Sequence, residues 1–245
     1  MRDAAFIHTT GDDAPSRAQP GYDATRDRVE TYFDKTATRT WERLTSDAPV
    51  SKIRQTVRAG RDQMRALLLS RLPADLTGQR VLDAGCGAGQ MTAELAARGA
   101  EVLAIDISPQ LVEIAQRRLP ENLRHRVQFS SGDMLNPGLG RFDHVIAMDS
   151  LIYYDAADIG VALAGLEKRT RGAIVFTVAP RTRLLMAMWH AGRLFPRSDR
   201  SPVMIPHAHG PLAQIARTKG VRGLIRPVDR VTSGFYISQA MEVRG

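Results

Sequence analysis

Apolar residues recur at helical spacing from Val29 through Tyr32, Phe33, Ala37 and Trp41 to Leu44, which predicts a helical stretch near the N-terminus. A second stripe runs through Ile53, Val57, Met64, Leu67 and Leu68, with Lys52, Arg54, Arg58, Arg61 and Arg65 mostly off its apolar face. Pro73 and Gly78 mark its end. Beyond them the pattern alternates between short apolar runs and helical stretches. Runs over 81–84, 101–106, 126–129, 142–149 and 172–178 predict five strands. The helices between them are predicted over 91–98, from Ser108-Pro109 onward with Leu111, Val112, Ala115 and Leu119 buried, and over 156–169. A last helix from Pro211 to Lys219 precedes two strands, 221–231 and 234–243, which read as a hairpin. The alternation predicts an α/β fold: a Rossmann-like sheet of seven strands, the last antiparallel, with helices on both faces. Residues 1–28 lack apolar periodicity and read as a flexible leader, 29–75 as a helical arm, and 76–245 as the main domain. Within that domain, 181–210 reads as an insertion after the fifth strand.

The first strand runs into Asp83-Ala84-Gly85-Cys86-Gly87-Ala88-Gly89, a strand-to-helix glycine loop of the kind that binds a ligand in an open α/β sheet. Its spacing differs from the dinucleotide fingerprint G-x-G-x-x-G, because Gln90 stands where the third glycine belongs. Asp83 also opposes a pyrophosphate, since like charges at that range repel. S-adenosylmethionine carries an ammonium, a sulfonium and one carboxylate but no phosphate, and a buried aspartate suits it. The loop therefore reads as the first motif of a class I methyltransferase, with Asp83, Gly85, Cys86 and Gly87 at the cofactor.

The ends of the next strands extend this constellation. Asp106, followed by Ile107, is placed to accept hydrogen bonds from both ribose hydroxyls. Asp133 is placed at the adenine amino group, with Met134 as an apolar wall beside the ring. Met148, in the fourth strand, is a further cofactor-binding candidate, and the run Ser150 to Tyr154 follows at the strand's carboxyl end, where a methyl acceptor must sit. A single such acid is more often a solvated surface group; three at successive strand ends are far more specific. The insertion combines Leu184, Leu185, Met186, Met188, Trp189, Leu194 and Phe195 with Arg181, Arg183, Arg193, Arg197 and Arg200, and ends near His207-Ala208-His209. A lid over a greasy anion explains both properties, and core packing or a membrane-contact helix explains them as well.

Charge and composition narrow the classes. A formal net charge of +8 over 245 residues favours an anionic partner. The basic residues are interleaved with apolar ones and no RNP-type aromatic motif is present, which argues against nucleic acid. One cysteine, Cys86, excludes a disulfide framework and reads as a small residue in a crowded turn rather than a nucleophile. No apolar run approaches a membrane span and no signal-peptide pattern opens the chain, so a cytoplasmic protein with peripheral contact at most is expected. No metal-ligand spacing is seen.

Several runs together resemble the magnesium protoporphyrin IX O-methyltransferases of bacteriochlorophyll and chlorophyll synthesis. They are Val29-Glu30-Thr31-Tyr32-Phe33 with Trp41-Glu42-Arg43, Val57-Arg58-Ala59-Gly60-Arg61, Asp83 to Gly87, and Asp106-Ile107-Ser108. Met148 to Tyr154, Ala179-Pro180-Arg181-Thr182 and Phe235-Tyr236-Ile237-Ser238 complete them. The resemblance implies methyl transfer from S-adenosylmethionine to one propionate of magnesium protoporphyrin IX, giving the 13-monomethyl ester and S-adenosylhomocysteine. It also implies a functional interaction with magnesium chelatase, with magnesium entering only as part of the porphyrin. Tyr32 matches the family's arm tyrosine, expected to close over the site, with Phe33 beside it. Tyr153 stands where plant and cyanobacterial relatives carry a histidine expected to contact substrate, so that role passes to a phenol here, or to Tyr154. Arg181, Trp189 and His207 are the further substrate candidates. A propionate is already ionised near neutral pH, at a pKa of about 4.3 by analogy with Glu, so no obligatory base is expected. The competing readings are a methyltransferase for another anionic small molecule, such as a quinone precursor or fatty acid, an RNA-modifying methyltransferase, and a non-catalytic cofactor-binding protein.

Overall fold

The sheet grows from a central strand whose side chains alternate between two hydrophobic layers. In β1 (Arg80–Ala84), Leu82 and Ala84 face one layer while Val81 and Asp83 face the other. The computed structural model describes residues 20–32, 52–183, 185–186 and 204–244. Along the chain, α1 (Pro20–Tyr32) and α2 (Lys52–Leu69) precede β1. Then come α3 (Gln90–Ala97), β2 (Glu101–Asp106), α4 (Pro109–Arg118), β3 (Val127–Ser131) and β4 (His144–Ala147). They are followed by α5 (Ala156–Glu167), β5 (Ile174–Pro180), β6 (Pro206–His207), α6 (His209–Thr218), β7 (Leu224–Ser233) and β8 (Tyr236–Arg244).

The strand order is β3-β2-β1-β4-β5-β8-β7, with β1 to β5 parallel and β8 antiparallel to both neighbours. The seven predicted strands and the antiparallel last one are all present. The sheet adds an eighth, β6, in which Pro206 and His207 pair with Ala179 and Pro180. The end of the predicted insertion therefore returns to the sheet. β5 is buried along its whole length, as expected of a strand covered on both faces. One layer is filled by α5 and α6 through Ile159, Leu163, Leu212 and Ala216; the other by α2 and α3 through Met64, Leu68, Met91 and Leu95.

Local chemistry sets the helix starts. Ser108 caps α4 by accepting from the Leu111 amide, with Pro109 as first residue, and Asp155 caps α5 by accepting from the Asp158 amide at 2.8 Å. α6 begins two residues before the predicted Pro211, which sits in its first turn where a missing N–H costs nothing. The leader boundary is corrected. Residues 20–28 belong to α1, because Tyr22, Thr25 and Val29 bury one face of that helix against the domain. The rest of the leader, the predicted helix beyond Tyr32 and the centre of the insertion lie outside the described residues.

Chain connectivity reverses between β1 and β4: the chain first builds outward through β2 and β3, then crosses to the other side of β1. A cleft opens at the carboxyl ends of strands at such a switch point.

Candidate active site

The cleft at this position spans about 690 Å³, part of it open to solvent. Its floor is the loop between β1 and α3. Gly85 and Cys86 both donate their amides to the Ile105 carbonyl, at 2.8 and 2.9 Å, which binds the loop to the end of β2. Gly85 has φ +83°, and a Cβ there would lie 2.4 Å from the Ser150 Cβ, so only glycine satisfies both the turn and the approach of the β4 loop. Gly89 opens α3 in a left-handed conformation without a side-chain cap. The helix N-terminus, with Gln90 on the cleft wall, is thereby suited to a carboxylate.

Asp106 ends β2 beside this loop and lines the cleft. Its Oδ2 accepts from the Gly87 amide at 2.9 Å and its Oδ1 from the Ser108 amide at 3.0 Å. These two amides fix the orientation of the carboxylate, and a carboxylate oxygen can accept from more than one donor, as a diol requires. Ile107, Met134 and Met148 supply apolar walls. Asp83 takes a different place from the one its sequence position suggests. It lies behind the loop, 1% exposed, and accepts from the Thr92 hydroxyl of α3 at 2.5 Å rather than lining the cleft. Burial pushes its carboxyl up to about 7, with the Asp106 charge adding and the Thr92 hydrogen bond opposing. Cys86 lines the cleft, and burial, then Asp106 and Asp83, raise its thiol well above the ordinary range. It stays a protonated packing group.

Asp133 is also placed otherwise. It does not line the cleft; its neighbours Gly132 and Met134 do. Its carboxylate accepts from the Tyr22 hydroxyl at 2.9 Å, from Arg26 at 3.3 Å and from the Leu135 amide at 2.8 Å. The side chain expected at adenine thus anchors α1. Tyr22 also stacks on Tyr154, with ring centroids 4.9 Å apart. Docked in this way, α1 brings Val29 onto the cleft wall, and Tyr32 packs with Val29, Ala88, Leu111, Ile114, Ile107 and Tyr153.

The opposite wall follows β4. Tyr153 and Tyr154 both line the cleft, and burial above all raises both phenols above their usual range. Asp149 also lines it, with φ +57°. It ion-pairs with Arg61 of α2, accepts from the Tyr236 hydroxyl at 3.1 Å, and exchanges two hydrogen bonds with Thr177. Two substrate candidates fall elsewhere. His207 is buried in β6 and its Nε2 meets the Tyr154 carbonyl at 2.9 Å, so it is a pin for the β4 loop; burial lowers its pKa. Arg181 is exposed and away from the cleft wall, and Phe33 and Trp189 lie outside the described residues. His209 is exposed at the start of α6 and meets the Ile225 carbonyl at 3.0 Å.

Sequence reasoning passed over Tyr22, Arg61, Asp149 and Tyr236 as site residues. Tyr22 stood in a stretch without periodicity. Arg61 had one signal: it directly follows Gly60, which shares the i, i+4 stripe with Met64 and Leu68, so it borders the buried face. All five tyrosines of the chain, Tyr22, Tyr32, Tyr153, Tyr154 and Tyr236, gather around this one cleft, a convergence that spacing cannot reveal.

Comparison with known proteins agrees with this geometry. Residues 147–245 match the family described as magnesium-protoporphyrin IX methyltransferase C-terminus, and residues 81–171 match a methyltransferase domain. The chain is 63% identical over 224 residues to a magnesium-protoporphyrin O-methyltransferase of Rhodobacter capsulatus, covering 91% of this chain and 98% of that one. It is 30% identical to the enzyme of the same name from Synechocystis, over 87% of this chain and 94% of that one. The crystal structure of the magnesium protoporphyrin IX methyltransferase from Synechocystis with bound S-adenosylhomocysteine superimposes with a TM-score of 0.74 at 29% identity, covering 90% of this chain and all of the other. With 91% of the chain matched at 63% identity and 90% of it matched in structure, this protein belongs to the magnesium-protoporphyrin O-methyltransferase family.

Proposed function

We propose that this protein transfers a methyl group from S-adenosylmethionine to a propionate carboxylate of magnesium protoporphyrin IX, giving the 13-monomethyl ester and S-adenosylhomocysteine. The observation that carries the reading is 63% identity to a like-named relative across nearly both full lengths, over a cleft built for that donor.

The residues present fit the donor. Gly85 and Gly87 keep the floor free of side chains, Asp106 presents a fixed carboxylate, and Met134 and Met148 offer apolar walls. When bound, S-adenosylmethionine supplies an electrophilic methyl group. The acceptor oxygen forms the new O–C bond, the C–S bond breaks with its electron pair left on sulfur, and no proton changes place. The tyrosines agree with such a step. Burial holds Tyr153 and Tyr154 in the neutral form, so each is a hydrogen-bond donor and neither is a base. Acceleration then rests on alignment and on stripping water from the carboxylate. In this reading Tyr153 orients the acceptor, while Tyr32, next to it on α1, helps close the site.

The family resemblance extends the reading to a handover from magnesium chelatase, and the apolar, basic composition of the insertion extends it to peripheral contact with a membrane surface. Among the described residues no helix is long and apolar enough to cross a membrane.

A titration with magnesium protoporphyrin IX, followed by its absorption spectrum in the presence of S-adenosylhomocysteine, tests the acceptor. A saturable spectral shift that excess RNA does not reverse is expected. Displacement by RNA, or no shift at all, would remove the porphyrin from the reading.

A further inference from the structure

Asp149 is the only non-glycine residue with a positive φ among those described, and it stands on the acceptor wall of the cleft. A side chain in that conformation is retained where its surroundings hold it, and such positions cluster at functional sites. Here the surroundings come from three other elements: Arg61 of α2, Thr177 of β5 and Tyr236 of β8. The Arg61–Asp149 pair is largely buried, with side-chain exposures of 15% and 6%, a costly arrangement when only stability is at stake. Arg61 also lines the cleft beside this pair, and a planar guanidinium can present N–H donors to more than one acceptor. Next along the chain, Ser150 lines the same cleft, and its Oγ is buried without a hydrogen-bond partner among the described residues. An orphaned buried hydroxyl beside a buried guanidinium calls for an acceptor oxygen from a ligand.

Resting on the proposed function, we propose that Arg61 and Ser150 form the subsite that orients the acceptor carboxylate, and that Asp149 sets how tightly it is held. The carboxylate loses its negative charge as its oxygen gains the methyl group. A bare guanidinium therefore binds the starting carboxylate more strongly than the transition state and works against turnover. Paired with Asp149, Arg61 keeps its directional donors while its positive charge is balanced. Orientation is retained and the charge clamp is released. Tyr236 and Thr177 act as positioning residues by fixing the Asp149 carboxylate from β8 and β5. Gly60 makes room for this, since a Cβ there would lie 2.7 Å from the Tyr236 ring.

The two halves of the pair have opposite signatures. Arg61→Gln removes an oriented charged donor and raises KM for magnesium protoporphyrin IX by at least about tenfold, while Ser150→Ala raises it by a smaller factor. Asp149→Asn keeps the backbone conformation, which asparagine tolerates, and leaves Arg61 unbalanced. It lowers KM and lowers kcat together. Binding of magnesium protoporphyrin IX and of its dimethyl ester, in which neither propionate is charged, isolates the carboxylate. The wild-type protein prefers the diacid, Arg61→Gln loses that preference, and S-adenosylhomocysteine affinity by calorimetry is the same in both, which confirms an intact fold. Arg61→Lys restores part of the preference. A wild-type protein that binds neither pigment removes the proposed function and this subsite with it; one that binds both pigments equally removes the subsite alone. An Arg61→Gln protein that still prefers the diacid, or an Asp149→Asn protein whose KM rises, overturns the assignment.

Discussion

Replacing Asp83 with asparagine isolates the cost of a buried charge behind the glycine loop. The side chain is 1% exposed, its one side-chain partner is the Thr92 hydroxyl, and Asp106 lies close enough to add to the penalty. Its carboxyl ionises at about 7 in the folded protein against 3.8 ordinarily. An acid with a raised folded pKa binds its proton more tightly when folded. Its contribution to stability is therefore fully present below the unfolded pKa and is lost as pH rises towards about 7. The full loss, at about 1.4 kcal/mol per unit over roughly three units, is on the order of 4 kcal/mol. Between about pH 5.5 and about pH 8 the share still to be lost is about 2 kcal/mol, since ionisation in the folded state levels the curve near 7. Asparagine keeps an acceptor for Thr92 and never ionises. Urea unfolding of both cofactor-free proteins at these two pH values measures the difference. The wild type should lose about 2 kcal/mol more than Asp83→Asn over that interval. Equal losses in the two proteins would refute the argument that Asp83 is a desolvated acid. Saturating S-adenosylmethionine should narrow the gap, because a bound cation favours the carboxylate.

Two further substitutions probe the walls of the cleft. Tyr22→Phe keeps the stack on Tyr154 but removes the donor to Asp133, at a cost of about 1 kcal/mol. Amide exchange in α1 should become faster and cofactor release should speed up severalfold; unchanged exchange would detach Tyr22 from the docking of α1. Tyr153→Phe should lower kcat without changing S-adenosylhomocysteine affinity, and the rate at saturating cofactor should stay flat as pH rises above neutrality in both proteins. A limb lost on removing the phenol would give Tyr153 the proton-transfer role its raised pKa denies it.

What the sequence made legible follows from the range of the interactions. Strands, helices and the switch point depend on periodicity and on local caps such as Ser108-Pro109, and these could be read directly. The cofactor floor was legible for a related reason: Gly85, Gly87 and Asp106 act within one β-α-β unit, where strand ends are set by the strand pattern. Asp133 and His207 misled because a residue type at a strand end or in a cluster does not say which partner takes it. One is claimed by Tyr22 from the N-terminal helix, the other by the Tyr154 carbonyl. Arg61, Asp149 and Tyr236 lie on α2, the β4 loop and β8, the last two 87 positions apart in the chain, and they meet only once the sheet has closed. Resemblance supplied the acceptor class that these spacings could not.

Labelled methyl transfer shows whether this cleft esterifies a porphyrin propionate. The protein is incubated with S-adenosylmethionine carrying a labelled methyl group and with magnesium protoporphyrin IX, and the pigment is extracted and hydrolysed with mild base. The account predicts one label per porphyrin, released as methanol by the base, and no transfer to the dimethyl ester. Label that resists base, or that accumulates on the dimethyl ester, would contradict it.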